Sequence, residues 1–173
     1  MTPTRESLSQ VTIRPLRASD DMQQLTELLH RAYGALAARG WHFVACSQPV
    51  DVTIARCAKG DTFIAELNDR VVGTITLASI AHTCGSPWLD RDGVASFGQF
   101  GVEPDMQKLG IGDKLLAAVE QRARELGIPE LALDTSEQAE HLIRYYSARG
   151  YRFIENVKWA EVNYGSVVMS KTL

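Results

Sequence analysis

The chain has 173 residues, a hydrophobic fraction of 45%, a charged fraction of 23% and a net charge of −3. These values lie near globular averages and leave room for one domain with a full core. They give no sign of a general polyanion-binding surface, so no nucleic-acid partner is expected, and no run approaches the roughly 20 apolar residues of a membrane span.

Residues 1–9 read as a loose polar tail ahead of one domain over 10–173, and the start has no apolar run between its charges, so no signal peptide is expected. Val11 to Leu16 alternates as a strand. Ser19 and Asp20 offer caps for a helix, with Gln23 three residues after Asp20. Leu25, Leu28, Leu29, Ala32, Tyr33 and Leu36 follow at helical spacing and define one buried face, which Gly40 ends. Residues 41–50 read as loop and 51–59 as a short helix. Thr62–Leu67 and Val71–Leu77 predict a hairpin with Asn68-Asp69-Arg70 as its turn. The turn-rich run HTCGSPWLDRDG at 82–93 is a loop, and Val94 to Val102 is a strand that Pro104 stops.

A helix over Asp113–Leu126 turns Leu115, Leu116, Val119, Ala123 and Leu126 inward, and Gly127 with Pro129 stops it. Leu131–Leu133 is a short buried strand, Glu137–Ala148 a helix closed by Gly150, and Tyr151–Ile154 and Ser166–Met169 the last strands. The order β-α-α-β-β-β-α-β-α-β-β describes an α/β chain with a mixed sheet. Cys46, Cys57 and Cys84 are odd in number and lack CxxC spacing, which argues against a disulfide framework or a zinc site and suggests a reducing, cytoplasmic setting.

The string QKLGIG at 107–112 puts two glycines at the start of the third predicted helix. A helix N-terminus presents unpaired N–H groups and a partial positive charge, and glycine lets an anion approach them closely. Glycine spacing alone leaves a plain strand-to-helix turn as an equal reading. The turn is not a P-loop, because no GxxxxGK[ST] string occurs. It is not a dinucleotide fingerprint either, because Leu115 stands where GxGxxG needs its third glycine.

The string does fit the pattern Q/R-x-x-G-x-G/A, as Gln107, Lys108, Leu109, Gly110, Ile111 and Gly112. A strand with a Val-x-Pro lead-in precedes it, Phe100-Gly101-Val102-Glu103-Pro104. Tyr146, Gly150 and Tyr151 complete a Tyr-x-x-x-Gly-Phe/Tyr signature. In these motifs and in element order over nearly its whole length, the chain resembles the GCN5-related N-acetyltransferases. The resemblance implies a single-domain α/β fold, with a mixed, mostly antiparallel sheet whose central strands splay apart and are flanked by helices. It implies acetyl-CoA as cosubstrate, no metal, and direct acetyl transfer to a primary amine of a small molecule or peptide in a ternary complex. It assigns Gln107 to Gly112, with Asp113, to the cosubstrate's pyrophosphate. Phe100, Gly101 and Val102, together with Asp134 and Thr135 across a gap near Leu133–Thr135, fall to its pantetheine arm. Asp113 would repel a pyrophosphate unless it points away, and Lys108 and Lys114 are candidates to offset it.

Tyr146 is the residue the resemblance assigns as acid to the departing thiolate. A phenol with a pKa of about 10 is protonated at neutral pH and able to donate. Ala139, Leu142, Ile143 and Tyr146 also form one apolar stripe, so the ring is expected to pack while its hydroxyl reaches the cleft. The glutamate that the protein-lysine branch of the family carries six residues before the Val-x-Pro valine is Ser96 here, which disfavours a protein lysine as acceptor. The base is left open among Glu66, His82, Asp90, Asp92, Glu103 and an ordered water. The family's asparagine seven residues before the tyrosine is Ala139, so its contact is expected to move to Asp134, Thr135 or Ser136. Acceptor walls are expected from the first helix, loops 41–50 and 82–93, and Tyr164, with Trp41, His42, Trp88 and Trp159 as aromatic candidates. Cys84 is the sole rival nucleophile. A homodimer is common in the family, though no residue demonstrates one. Other readings are a non-catalytic acyl-CoA-binding module of the same fold and an unrelated α/β phosphate-ester binder.

Overall fold

The computed structural model describes residues 10–78 and 85–173. Its strands are β1 (Thr12–Pro15), β2 (Gly60–Leu67), β3 (Arg70–Ala78), β4 (Val94–Val102), β5 (Glu130–Ser136), β6 (Arg152–Val157) and β7 (Ser166–Thr172). Its helices are α1 (Met22–Ala37), α2 (Val50–Cys57), α3 (Ile111–Glu125) and α4 (Glu140–Ser147), with short 3-10 turns at Val44–Cys46 and Pro104–Met106. The element order is the one that periodicity predicts. The strands form one seven-stranded sheet in the order β1-β2-β3-β4-β5-β7-β6. β4 and β5 pair in parallel, and every other neighbouring pair is antiparallel.

Local chemistry explains where the boundaries differ from expectation. The α1 cap is Asp21, whose carboxylate accepts from the N–H groups of Gln23 and Gln24. Asp20 is not free for that role. Arg14 binds it through both terminal nitrogens, each at 2.8 Å, and holds its carboxyl below the usual carboxylate range. The Arg17 N–H also donates to it at 2.7 Å, so both carboxylate oxygens are engaged outside the helix. In the β2–β3 hairpin, Asn68 (φ 50°) and Asp69 (φ 61°) alone make the turn, and Arg70 is already paired with Leu67. Two adjacent left-handed residues match the twist of the flanking strands, as a two-residue hairpin requires.

α3 buries Ile111, Leu115, Leu116, Val119 and Ala123 against the sheet. Each fully buried aliphatic side chain there contributes about 1.5–3 kcal/mol. Leu126, expected on that face, is instead 47% exposed, because it is the C-cap and Gly127 (φ 70°) turns the chain away. α4 begins at Glu140 rather than at Glu137, since β5 runs on to Ser136 along β7. On α1, Leu25, Leu28 and Leu29 are buried, while Ala32, Tyr33 and Leu36 continue the same stripe into a cleft. Of the expected loop 82–93, residues 85–93 form turns, while His82 and Cys84 lie outside the described residues.

Removing the Asp21 cap without touching the core is expected to lower stability by about 1 kcal/mol in Asp21→Ala. The checking measurement is the chemical-denaturation midpoint, where Ser19→Ala should leave the wild-type value.

Candidate active site

The site begins with a ladder that stops early. β4 bonds β5 only through Val94–Glu130, Ala95–Leu131 and Ser96–Ala132. Beyond that point β3 holds β4 on its outer edge up to Val102, and β7 holds β5 up to Ser136. The inner edges of Phe97–Val102 and Leu133–Ser136 are therefore unpaired with one another. A bulge sits where they part. Gly98 faces Thr76 and Gly101 faces Thr74, so Gln99 and Phe100 oppose Ile75 alone. Gln99 takes a φ of 48° and is buried. Its amide is fixed by Gln48 Nε2 at 2.8 Å and by its own contact to Cys57 Sγ at 3.2 Å. A bulge bends its strand and increases local twist, which here moves β4 away from β5. A cleft of about 1120 Å³ occupies the opening.

One end of the cleft is the glycine corner. Gly110 (φ 81°) is the N-cap of α3, a conformation a side chain resists, and it caps with no side-chain bond. The opening N–H groups of α3 thus face the cleft without a side-chain partner. Leu109 and Ile111 turn their side chains into the core, leaving only main chain at the corner. Gln107 Nε2 donates to Val102 O at 3.1 Å and ties the corner to the end of β4. Lys108 (φ 64°), Gln107, Gly110, Gly112 and Asp113 line the cleft.

Asp113 is directed toward α4. Its carboxylate accepts from Tyr145 Oη at 2.9 Å and pairs with Arg149 Nη2 at 2.6 Å. The Arg149 guanidinium in turn stacks 3.5 Å over the Tyr145 ring. Space at Gly112 is tight, since a Cβ there would lie 3.3 Å from Tyr145 Oη and 3.4 Å from Phe100. Sequence reasoning missed Arg149. Its signal was its position one helical turn after Tyr145, on the face that meets the corner. Lys114 donates to Val11 O at 3.3 Å and leaves the corner to Lys108 and Arg149.

Tyr146 sits in the middle of the cleft floor. It is 8% exposed, with the Phe97 and Tyr151 ring centroids each at 6.0 Å and that of Tyr145 at 5.2 Å. Burial, then the neighbouring Tyr33, Tyr145 and Asp134, push its phenol well above the ordinary value, so it keeps its proton. Tyr145 is half-buried. Thr135 is buried at the gap, and its Oγ1 has no hydrogen-bond partner. Asp134 carries its carboxylate outward into the cleft while protein surrounds it on most sides, and burial raises its pKa. Trp159 Nε1 donates to it at 2.9 Å.

The carboxylates weighed as bases are elsewhere. Glu66 is bound by Arg14, and buried Glu103 pairs with Arg31 at 2.6 Å and Arg70 at 3.6 Å. Neither these nor Asp90 and Asp92 line the cleft. The outer wall is made by Tyr33, Phe43, Val44, Arg56, Trp159 and Tyr164. Trp159 and Tyr164 stand where the aromatic residues were expected. Trp41 binds Gln138 Oε1 at 2.7 Å, the His42 main chain binds Asn163, and Trp88 lies beneath Arg91, all away from the wall. Arg56 donates to Gln48 Oε1 at 2.6 Å, and its Nη2 would lie 3.6 Å from a Cβ at Gly98. Among the described residues no carboxylate pairs with it. No group of His, Cys, Asp and Glu among the described residues could hold a metal.

Comparison with known proteins agrees with this geometry. A structure of an acetyltransferase from Elizabethkingia anophelis with acetyl-CoA bound superposes with a TM-score of 0.67 at 18% identity, covering 95% of this chain and 99% of that one. The ribosomal-protein-S18-alanine N-acetyltransferase of Escherichia coli superposes with a TM-score of 0.70 at 15% identity, covering 94% and 93%. At those identities the likeness concerns the fold. The S-(2-succino)cysteine N-acetyltransferase of Bacillus subtilis (strain 168) is 31% identical over 141 residues, 79% of this chain and 81% of that protein. The family model for the GNAT acetyltransferases matches residues 22–151. With the parted strands, the glycine corner and these relatives together, the chain belongs to the GNAT family of acetyltransferases.

Proposed function

We propose that this N-acetyltransferase acetylates the amine of a small acceptor that carries a carboxylate, with Arg56 as the carboxylate's anchor. The observation that supports this most is the guanidinium itself. It lines the acceptor side of the cleft, lies over β4 where the strands part, and has no carboxylate partner among the described residues. Gln48, itself bonded to Thr53 and Gln99, holds it from behind. A cation fixed in this way is ready for a ligand carboxylate, the partner a guanidinium fits in two-point geometry. The Bacillus subtilis relative points the same way, because its name gives a succino-substituted cysteine as acceptor.

For acetyl-CoA, the reading uses the corner and the gap. The amides opening α3 at Gly110–Asp113, with main-chain groups of Gln107, Leu109 and Ile111 and the cations of Lys108 and Arg149, receive the diphosphate. Phe100, Gly101 and Val102 on one edge, and Asp134 and Thr135 on the other, offer unpaired main-chain groups to the pantetheine amides. The orphan Thr135 Oγ1 fits a polar ligand in that slot. Arg149 neutralises Asp113, which removes the repulsion its carboxylate would otherwise exert. The thioester is then held over Tyr146, which donates its phenolic proton to the departing sulfur.

Tyr146→Phe is expected to lower kcat by about 10²-fold, the range of one proton-transfer group, while calorimetry finds acetyl-CoA affinity unchanged. Gly112→Val should crowd Tyr145 and the corner, weakening coenzyme A binding by about tenfold, a loss of about 1.4 kcal/mol. Arg56→Ala should raise KM about 10- to 100-fold for a carboxylate-bearing amine, the worth of one charged hydrogen bond, yet leave a neutral monoamine unaffected. An equal effect on both acceptor types would contradict the anchoring role.

A further inference from the structure

On the acetyl-transfer reading above, we infer that Asp134 is the catalytic base, a carboxylate supplied from β5 across the gap from the β4 position that Ser96 occupies. Ser96 and Ala132 are the last paired rung before the strands part. Side chains alternate along a strand, so Asp134, two residues beyond Ala132, projects from the same face as Ser96 and Ala132. That face is the acceptor side. Ala132 packs with Leu89, Val94 and Trp159, whereas Leu131 and Leu133 point into the opposite core beneath α3 and α4. Asp134 therefore stands one strand over and one step further into the opening than the glutamate of the family's protein-lysine branch would.

Its surroundings suit the role. Among the described residues Asp134 has no salt-bridge partner, and the Trp159 indole donates to its Oδ2 at 2.9 Å. That contact fixes one oxygen, Oδ2. The groups that share the cleft are Tyr33 from α1, Arg56 and Lys59 at the end of α2, Lys108 and Asp113 at the corner, His141, Tyr145, Tyr146 and Arg149 from α4 and the residues after it, and Glu161 and Tyr164 from the β6–β7 connection. Burial raises the pKa of Asp134, and the indole bond, the Ser166 hydroxyl and Arg56 work against that rise. The result is a carboxylate that is a stronger base than an exposed aspartate. Of the carboxylates weighed as bases from the sequence, Glu66, Asp90, Asp92 and Glu103 do not line this cleft.

The protons balance. The acceptor arrives as an ammonium and gives one proton to the Asp134 carboxylate, which passes it to solvent. The free amine attacks the acetyl carbon, forming the C–N bond. As the C–S bond breaks, the proton of Tyr146 goes to sulfur. The second nitrogen proton leaves the new amide through the same carboxylate, and the tyrosinate regains a proton from solvent. One ammonium and one thioester become one amide, one thiol and one released proton.

The test is the pH profile of kcat/KM on a carboxylate-bearing amine for wild type, Asp134→Asn and Trp159→Phe. A base must be unprotonated, so the wild-type rate should rise with pH through the raised Asp134 pKa. Asp134→Asn keeps size and the indole contact. It is expected to lose about 10²-fold in kcat, to lose that acid limb, and to bind acetyl-CoA as before. Trp159→Phe removes a bond that favours the ionised form, so the limb should move to higher pH. Wild-type turnover with the same rate and acid limb in Asp134→Asn overturns the base assignment alone. A wild-type protein that binds acetyl-CoA but acetylates no amine overturns this assignment together with the function proposed above.

Discussion

The whole site depends on the early end of one ladder. β4 and β5 are bonded over Val94–Ser96 and then separate, although each stays paired on its outer side. Two central strands with free inner edges are costly in a folded protein, because buried N–H and C=O groups lose water without gaining a partner. The arrangement is sustained by the rigid neighbours and by the Gln99 bulge, whose side chain is locked by Gln48, Cys57 and Thr76. A ligand with its own amides, laid between the edges, supplies what the missing rungs would have supplied. The orphan hydroxyl of Thr135 belongs to the same deficit.

Charge is arranged around this slot in a graded way. At one end the α3 N-terminus is joined by Lys108 and by Arg149, with Asp113 absorbed into the Arg149–Tyr145 contact. In the middle, the Phe97, Tyr145, Tyr146 and Tyr151 rings pack against each other and keep the phenol of Tyr146 protonated. At the far end Arg56 and Asp134 face one cleft from opposite elements. A diphosphate, a neutral thioester and a zwitterionic amine would each meet an environment of suitable sign along one line. The same bulge that bends β4 also sets Arg56, since Gln48 bonds both Gln99 and the guanidinium. The parted strands and the position of Arg56 thus share one structural cause.

Much of the fold was legible because its signals are local. Periodicity located every helix and strand, and the glycine corner could be read from QKLGIG because left-handed backbone and close approach leave a residue-level mark. Tyr146 was legible through its spacing to Gly150. Other features were not, for definite reasons. The cap at Asp21 rather than Asp20 depends on Arg14, which the chain brings in from β1. Exposed Leu126 fits the helical stripe but falls one residue past the last turn. The cleft face of Arg56 depends on how three elements meet, and the residue lies in no motif; Asp134 was expected at the gap, but not its contact with Trp159. Trp41, His42 and Trp88 have the composition of a binding wall yet engage partners of their own, which only the tertiary arrangement reveals.

The central claim is that the separated strands and the α3 N-terminus together form the coenzyme slot. Amide hydrogen exchange with and without coenzyme A tests it most directly. The account predicts that added coenzyme A slows exchange at Gly110–Asp113 and along the inner edges of Phe100–Val102 and Leu133–Ser136, with little change in the β1–β2 ladder. Coenzyme A bound at saturating concentration, with exchange unaltered at both the corner and the strand edges, would contradict it.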